Sequence, residues 1–160
     1  MFEAISRRFQ LKFKDRAAAG NILAEIIKDR LKKEKLEQCI VFGVPRGGVV
    51  TADSVVRRLS SSSSANAAVD FDIIIPRKLT DPDNKEQAIG AVMEDGTTYI
   101  DEELISMLQI TPECVEKEKA EQIQEIRRRN ALYYSKTSIN CHDHLKDKAT
   151  ILVDDGAARV

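Results

Sequence analysis

Three short apolar runs in this chain each end in side chains able to do chemistry. The last of them, Ile151, Leu152 and Val153, leads into Asp154, Asp155, Gly156, Ala157 and Ala158. Ionised carboxylates only accept hydrogen bonds and prefer hard cations, so an adjacent pair suits the vicinal hydroxyls of a ribose or a divalent ion. An acidic turn after a strand would look the same. The first run, Cys39 to Val44, ends in Pro45, Arg46, Gly47 and Gly48. Successive amides without side-chain bulk at a helix start, beside one guanidinium, suit a diphosphate. A strand-to-helix turn also uses glycines for purely steric reasons. Between these two, Phe71 to Ile75 ends at Pro76, Arg77 and Lys78, cations that could reach the same anion from the side or line an exposed basic turn. Each pattern alone is weak, and the three together point to a phosphorylated sugar. A fourth cluster, Cys141-His142-Asp143-His144, has ligand-type side chains but fits no structural zinc spacing, and reads as exposed turn residues.

Parallel strands separated by helices would bring such strand ends to one rim of a sheet, where open α/β folds bind ligands. The spacing predicts that arrangement. Ile22, Leu23, Ile26, Ile27 and Leu31 recur at helical intervals within Ala17 to Lys33, and Val49, Val50, Ala52, Val55, Val56 and Leu59 do so after the glycine turn. Ser60 to Ala68 is a low-complexity loop. Leu79 to Gln87 is polar, contains Pro82 and is long for a connector, as a mobile loop over a site would be. Glu94, Asp95 and Gly96 between two extended segments, Ala88 to Met93 and Thr97 to Ile100, signal a hairpin. Asp101 is placed to cap a short helix through Leu104, Ile105 and Leu108. Thr111 and Pro112 begin a longer one that reaches Tyr133. Glu113, Glu116 and Glu118 early in it, and Arg127, Arg128 and Arg129 late, suit the helix dipole and read as a solvated face. Tyr133 and Tyr134 read as packing or subunit contacts, the one hint of a homodimer.

The 160 residues, 42% hydrophobic and 32% charged, have the composition of one soluble globular domain with a real core. Twenty-five basic against twenty-six acidic residues leave a net charge of -1, which supplies no field to draw in nucleic acid or an anionic membrane. Any anion is held locally. Cys39, Cys114 and Cys141 form neither a Cys-x-x-Cys pair nor a disulfide framework, and there is no signal segment or membrane-length apolar run, so a reducing cytoplasm is expected.

Taken jointly, Gly43-Val44-Pro45-Arg46-Gly47-Gly48, Arg77-Lys78-Leu79, Glu86-Gln87-Ala88-Ile89-Gly90-Ala91-Val92 and Ile151-Leu152-Val153-Asp154-Asp155-Gly156-Ala157-Ala158 resemble the type I phosphoribosyltransferase family in order and spacing. Phe13-Lys14-Asp15-Arg16 with Ala19-Gly20 is similar to the beginning of a prokaryotic branch known mostly as predicted phosphoribosyltransferases, so the resemblance covers nearly the whole chain. It implies an α/β fold with a Rossmann-like parallel sheet, a flexible hood over 79–87 and a helical insertion over 101–134, in a single domain. It also implies binding of 5-phosphoribosyl-1-diphosphate with Mg2+ and transfer of the phosphoribosyl group to a nitrogenous base, with release of diphosphate. Arg46, Gly47 and Gly48 match the diphosphate loop, in which the family often has a cis peptide, here between Pro45 and Arg46. Arg77 and Lys78 match the basic pair that opens the hood. Asp154 and Asp155 match the acidic pair that holds the ribose hydroxyls, followed by Gly156, Ala157 and Ala158 on the way to the 5-phosphate.

In such a site, carboxylates beneath the sugar and cations around the leaving group stabilise opposite ends of one transition state, and a closed hood keeps water from competing. After the acidic pair the family continues with Thr-Gly and a further small residue and hydroxyl, whereas this chain has Arg159 and Val160. The expectation is therefore a domain cut at its 5-phosphate loop, with the C-terminal part missing. A shifted reading frame or a second polypeptide would supply the rest. Ile-Leu-Val-Asp-Asp also resembles the opening of a phosphoacceptor receiver domain, which needs its whole fold after that pair and is set aside. The rival reading is a non-catalytic protein that senses a nucleotide or phosphoribosyl ligand in the same crevice. No residue between Met1 and Gln38 shows a pattern that would read the base.

Overall fold

A computed structural model describes residues 13–61, 68–133, 145 and 148–156. In chain order the elements are α1 (Arg16–Glu34), β1 (Gln38–Gly43), α2 (Gly47–Ser60), β2 (Ala68–Ile73), β3 (Arg77–Thr80), β4 (Ala88–Val92), β5 (Thr98–Ile100), α3 (Glu102–Met107), α4 (Pro112–Tyr133) and β6 (Ala149–Val153). They divide into two compact units, one drawn from Met1–Ile74 and Cys141–Val160, the other from Ile75–Asn140.

The first unit is a parallel three-stranded sheet in the order β2-β1-β6. β1 is the central strand and is buried from Cys39 to Gly43, as expected of an apolar run with a strand on each side. Helices α1 and α2 bring Ala24, Ala52, Val55 and Leu59 onto Val41 and Val153, with Leu23, Ile27, Val56, Val69 and Ile151 packed around them. Of the two predicted helical stripes, Leu23, Ile27, Ala52, Val55, Val56 and Leu59 face this core. Ile22, Ile26 and Val50 are exposed, because α1 packs on α2 through the small residues Gly20 and Ala24. Asp15 begins α1 by accepting a hydrogen bond from the Ala18 amide at 2.7 Å. Lys35, in the left-handed conformation with φ 55°, ends it by donating its amide to Leu31 and Lys32. Lys148 Nζ reaches Asp70 Oδ2 at 2.7 Å, tying the start of β6 to β2.

The second unit holds an antiparallel sheet, β3-β4-β5, with α3 and α4. The Asp-Gly hairpin forms as its sequence requires: Gly96 takes φ +88°, and Met93 N–H donates to Thr97 O at 2.9 Å. Asp101 caps α3 through the Leu104 amide, and Thr111 Oγ1 accepts from the Cys114 amide at the start of α4. Leu79 and Thr80, expected in the polar loop, complete edge strand β3 instead. Both are buried, and a register shift lies between them. An apolar and a β-branched side chain gain more from pairing with β4 than from solvent. The remaining loop, 81–87, folds on itself through Asp81 N–H to Gln87 O, Asn84 N–H to Asp81 O and Gln87 N–H to Asn84 O. Among the described residues, no helix is long and apolar enough to cross a membrane.

Candidate functional site

Register builds the site in the first unit. Gly43 at the end of β1 lies level with Ile73 on one side and Val153 on the other, so Val44–Gly48 and Asp154–Gly156 leave adjacent strands side by side. Strand spacing in a sheet is about 4.8 Å, which sets how near the two segments start. Val44 N–H donates to Val153 O at 2.9 Å and carries the pairing one residue further. The Pro45–Arg46 peptide is cis, as the resemblance implied, and Arg46 stands exposed at the N-cap of α2.

Gly48 is required by closeness to backbone, and Gly47 lies against the Asp155 side chain. A Cβ on Gly47 would lie 1.9 Å from Asp155 Oδ2, and one on Gly48 would lie 2.7 Å from Val153 O and 2.8 Å from Asp154 Cα. A side chain at Gly48 would meet backbone, and one at Gly47 would displace the Asp155 and Arg16 side chains, so the glycine turn and the acidic pair abut. Asp154 Oδ1 accepts the Asp155 amide at 2.8 Å. Gly156 is exposed with open space around its Cα. Ala157 and Ala158, His142 and His144, Cys141, Tyr134, and the residues expected to replace the 5-phosphate loop all lie outside the described residues.

One functional candidate was missed in the sequence. Arg16, the first residue of α1, donates Nε to Asp155 Oδ2 at 2.7 Å and brings a terminal nitrogen to 2.6 Å from the same oxygen. This hydrogen bond is the first reason that the Asp155 carboxyl is held below its ordinary range, and the guanidinium charge adds to it. The pair is solvated, so it orients the carboxylate more than it stabilises the fold. The signal for Arg16 was the Phe13-Lys14-Asp15-Arg16 entry motif, whose acid is explained as a helix cap while its base is not. Beside the pair opens a cavity of about 390 Å³, lined in part by Phe13, Arg16, Leu23, Thr51, Asp154 and Asp155. Thr51 Oγ1 is the buried side-chain polar atom without a hydrogen-bond partner among the described residues.

Arg77 and Lys78 belong to the second unit and open strand β3 rather than close β2. Lys78 is exposed, whereas Arg77 is half-buried and donates Nε to Gln122 Oε1 at 2.8 Å. Glu118 corrects the sequence reading. It is only 6% exposed, not part of a solvated face, and accepts from Thr80 Oγ1 at 2.9 Å, Lys85 Nζ at 3.1 Å and Gln122 Nε2 at 3.1 Å. Burial pushes its carboxyl up, but the bonds from Thr80 and Lys85 and the lysine charge outweigh that and hold it below the ordinary range. The signal was available in the helical wheel, since Val115, Glu118, Gln122 and Ile126 share one stripe. Charge alone had suggested solvent.

No protein-family profile matches the chain. It is 28% identical over 146 residues to two Mycobacterium tuberculosis proteins, named "Putative phosphoribosyl transferase Rv0571c" and "Putative phosphoribosyl transferase MT0597", in matches that cover 91% of this chain. The chain spans 30% of the length of each of these curated relatives. Its fold is similar to the crystal structure of TT1426 from Thermus thermophilus, with a TM-score of 0.60 and 33% identity, covering 91% of this chain and 62% of that one. The mixed α/β fold with its parallel sheet is thus shared with a solved structure, and the resemblance read from the motifs is shared with relatives named for phosphoribosyl transfer.

Proposed function

We propose that this chain binds 5-phosphoribosyl-1-diphosphate with Mg2+ and serves transfer of the phosphoribosyl group to a nitrogenous acceptor. The observation that supports this best is the abutment of the Arg46–Gly48 turn and the Asp154–Asp155 pair, with Gly48 against the backbone of Val153 and Asp154 and Gly47 against the Asp155 carboxylate. A guanidinium with free amides and two carboxylates at one strand end suit the two halves of that substrate. In the transfer, the bond from ribose C1 to the diphosphate oxygen breaks and its electron pair leaves with diphosphate. The lone pair of the acceptor nitrogen forms the new bond to C1, and the proton displaced from that nitrogen passes to solvent.

In this reading Arg46 and the amides of Gly47 and Gly48 hold diphosphate, and Arg77 and Lys78 carry the anion-binding role that the resemblance gives them. Asp154 and Asp155 accept from the ribose hydroxyls and face the positive charge that develops on the sugar. The acidic pair suits a magnesium ion held jointly with substrate oxygens, because ionised carboxylates prefer hard cations and magnesium is commonly shared between one or two carboxylates and substrate phosphates. Asp154 and Asp155 would hold that ion, and it would supply neutralising charge to the leaving diphosphate. The free thiols of Cys39 and Cys114 suit a cytoplasmic setting.

Calorimetric titration with phosphoribosyl diphosphate and magnesium, then assay of diphosphate release with a panel of bases, tests the proposal. Saturable binding that is lost in Arg46→Ala and in Asp154→Asn/Asp155→Asn is the expected result. Binding without turnover would favour the ligand-sensing alternative, and absence of binding would end both.

A further inference from the structure

Arg77 is held by an arrangement that the functional reading does not use. A carboxylate can only accept hydrogen bonds, so the amide atom that Gln122 turns toward Glu118 has to be its donor, Nε2, found at 3.1 Å from Glu118 Oε1. The other end of the amide is then an acceptor by necessity. It receives Arg77 Nε–H at 2.8 Å. The guanidinium plane is thereby fixed through Nε, while its two terminal nitrogens stay outside this network as a fork for an anion. The same carboxylate takes Thr80 Oγ1 on one oxygen and Lys85 Nζ on the other, so one buried group orients the arginine and anchors both ends of the segment that follows it.

We infer that Glu118 is a positioning residue, which fixes the Arg77 guanidinium through the amide of Gln122 and clasps the 81–87 loop to α4 through Lys85. The inference rests on the proposed role of Arg77 in binding diphosphate. In Glu118→Gln the new amide can donate to Gln122, and Gln122 can then turn its own donor toward Arg77 Nε–H. Two donors would face each other and the arginine would lose its hold.

The test uses proton–nitrogen correlation spectra of the whole chain near neutral pH, with the Arg77 Nε–H signal identified by its loss in Arg77→Lys. In the parent protein this proton exchanges slowly with solvent. Glu118→Gln and Gln122→Met make its exchange fast, whereas Lys85→Met leaves it slow because Gln122 keeps its orientation. Gln122→Met, at a half-buried position, carries the test should Glu118→Gln not fold. Glu118→Gln and Gln122→Met also bind inorganic diphosphate with magnesium about tenfold more weakly than the parent. Slow exchange of Arg77 Nε–H retained in folded Glu118→Gln and in Gln122→Met overturns the inference, as does unchanged diphosphate affinity in both. If the parent chain itself binds no diphosphate, the functional proposal falls, and the exchange of the Arg77 proton alone decides the role of Glu118.

Discussion

Arg16 and Gly47 bear on Asp155 from two sides, and each makes a prediction. The Arg16 guanidinium favours the ionised form of Asp155, so the folded-state pKa lies below the ordinary value. Arg16→Met should move the Asp155 carboxyl titration upward, toward ordinary aspartate behaviour, as read by carbon NMR of that side chain. A midpoint that does not move would show the ion pair to be unimportant in solution. The sign for stability follows from the same depression: any contribution is present above the unfolded-state value and disappears as pH falls through the folded one. Gly47→Ala places a methyl on Asp155 itself, so either the turn or the carboxylate must shift. Loss of phosphoribosyl diphosphate binding with the fold retained by circular dichroism is expected. Gly96→Ala is the useful contrast, because its Cβ meets nothing within 4 Å and its cost is the positive φ alone.

At the scale of elements, α4 and β3 depend on a buried acid. Replacing Glu118 by Leu leaves the Thr80 hydroxyl and the Gln122 amide unpaired, at a cost of about 1–3 kcal/mol in denaturant unfolding. Because its carboxyl is held below the ordinary range, the stabilisation is complete above the unfolded-state glutamate value and declines as pH falls through the folded one. The parent should therefore lose stability on the acid side, and Glu118→Gln should show a shallower decline; equal slopes would contradict the role given to this carboxyl. In the first unit, Leu59 near the end of α2 is only 3% exposed, and Leu59→Ala should cost about 2–5 kcal/mol through the cavity it leaves. Asp15→Ala, which removes the cap of α1, should cost only about 1 kcal/mol.

The whole molecule carries a net charge of -1, so local clusters rather than a global field must capture an anion. Association with phosphoribosyl diphosphate should accordingly speed up only modestly as salt is lowered, and duplex DNA should show no mobility shift at physiological ionic strength. A steep salt dependence measured by stopped flow would point to a basic surface that composition does not reveal. The parallel sheet, both helices of the first unit, the hairpin and the caps of α3 and α4 were all legible in advance. Each rests on a local rule of period, turn chemistry or capping that neighbouring residues satisfy without reference to distant ones. The glycine turn and the acidic pair were legible for a related reason, since strand ends in a parallel sheet share a rim.

The sequence by itself determined which residues could do chemistry and that the glycine turn and the acidic pair would leave strand ends on one rim, because parallel strands joined by helices all point the same way. That β1 and β6 are direct neighbours in register was decided by the tertiary structure. Only the tertiary structure decided that Arg16 turns onto Asp155 across 139 residues of chain. Only it decided that Glu118 points inward to Thr80, Lys85 and Gln122. A charged side chain is sent outward by its own hydration and inward only when enough donors meet it, and those donors come from segments that no local pattern connects.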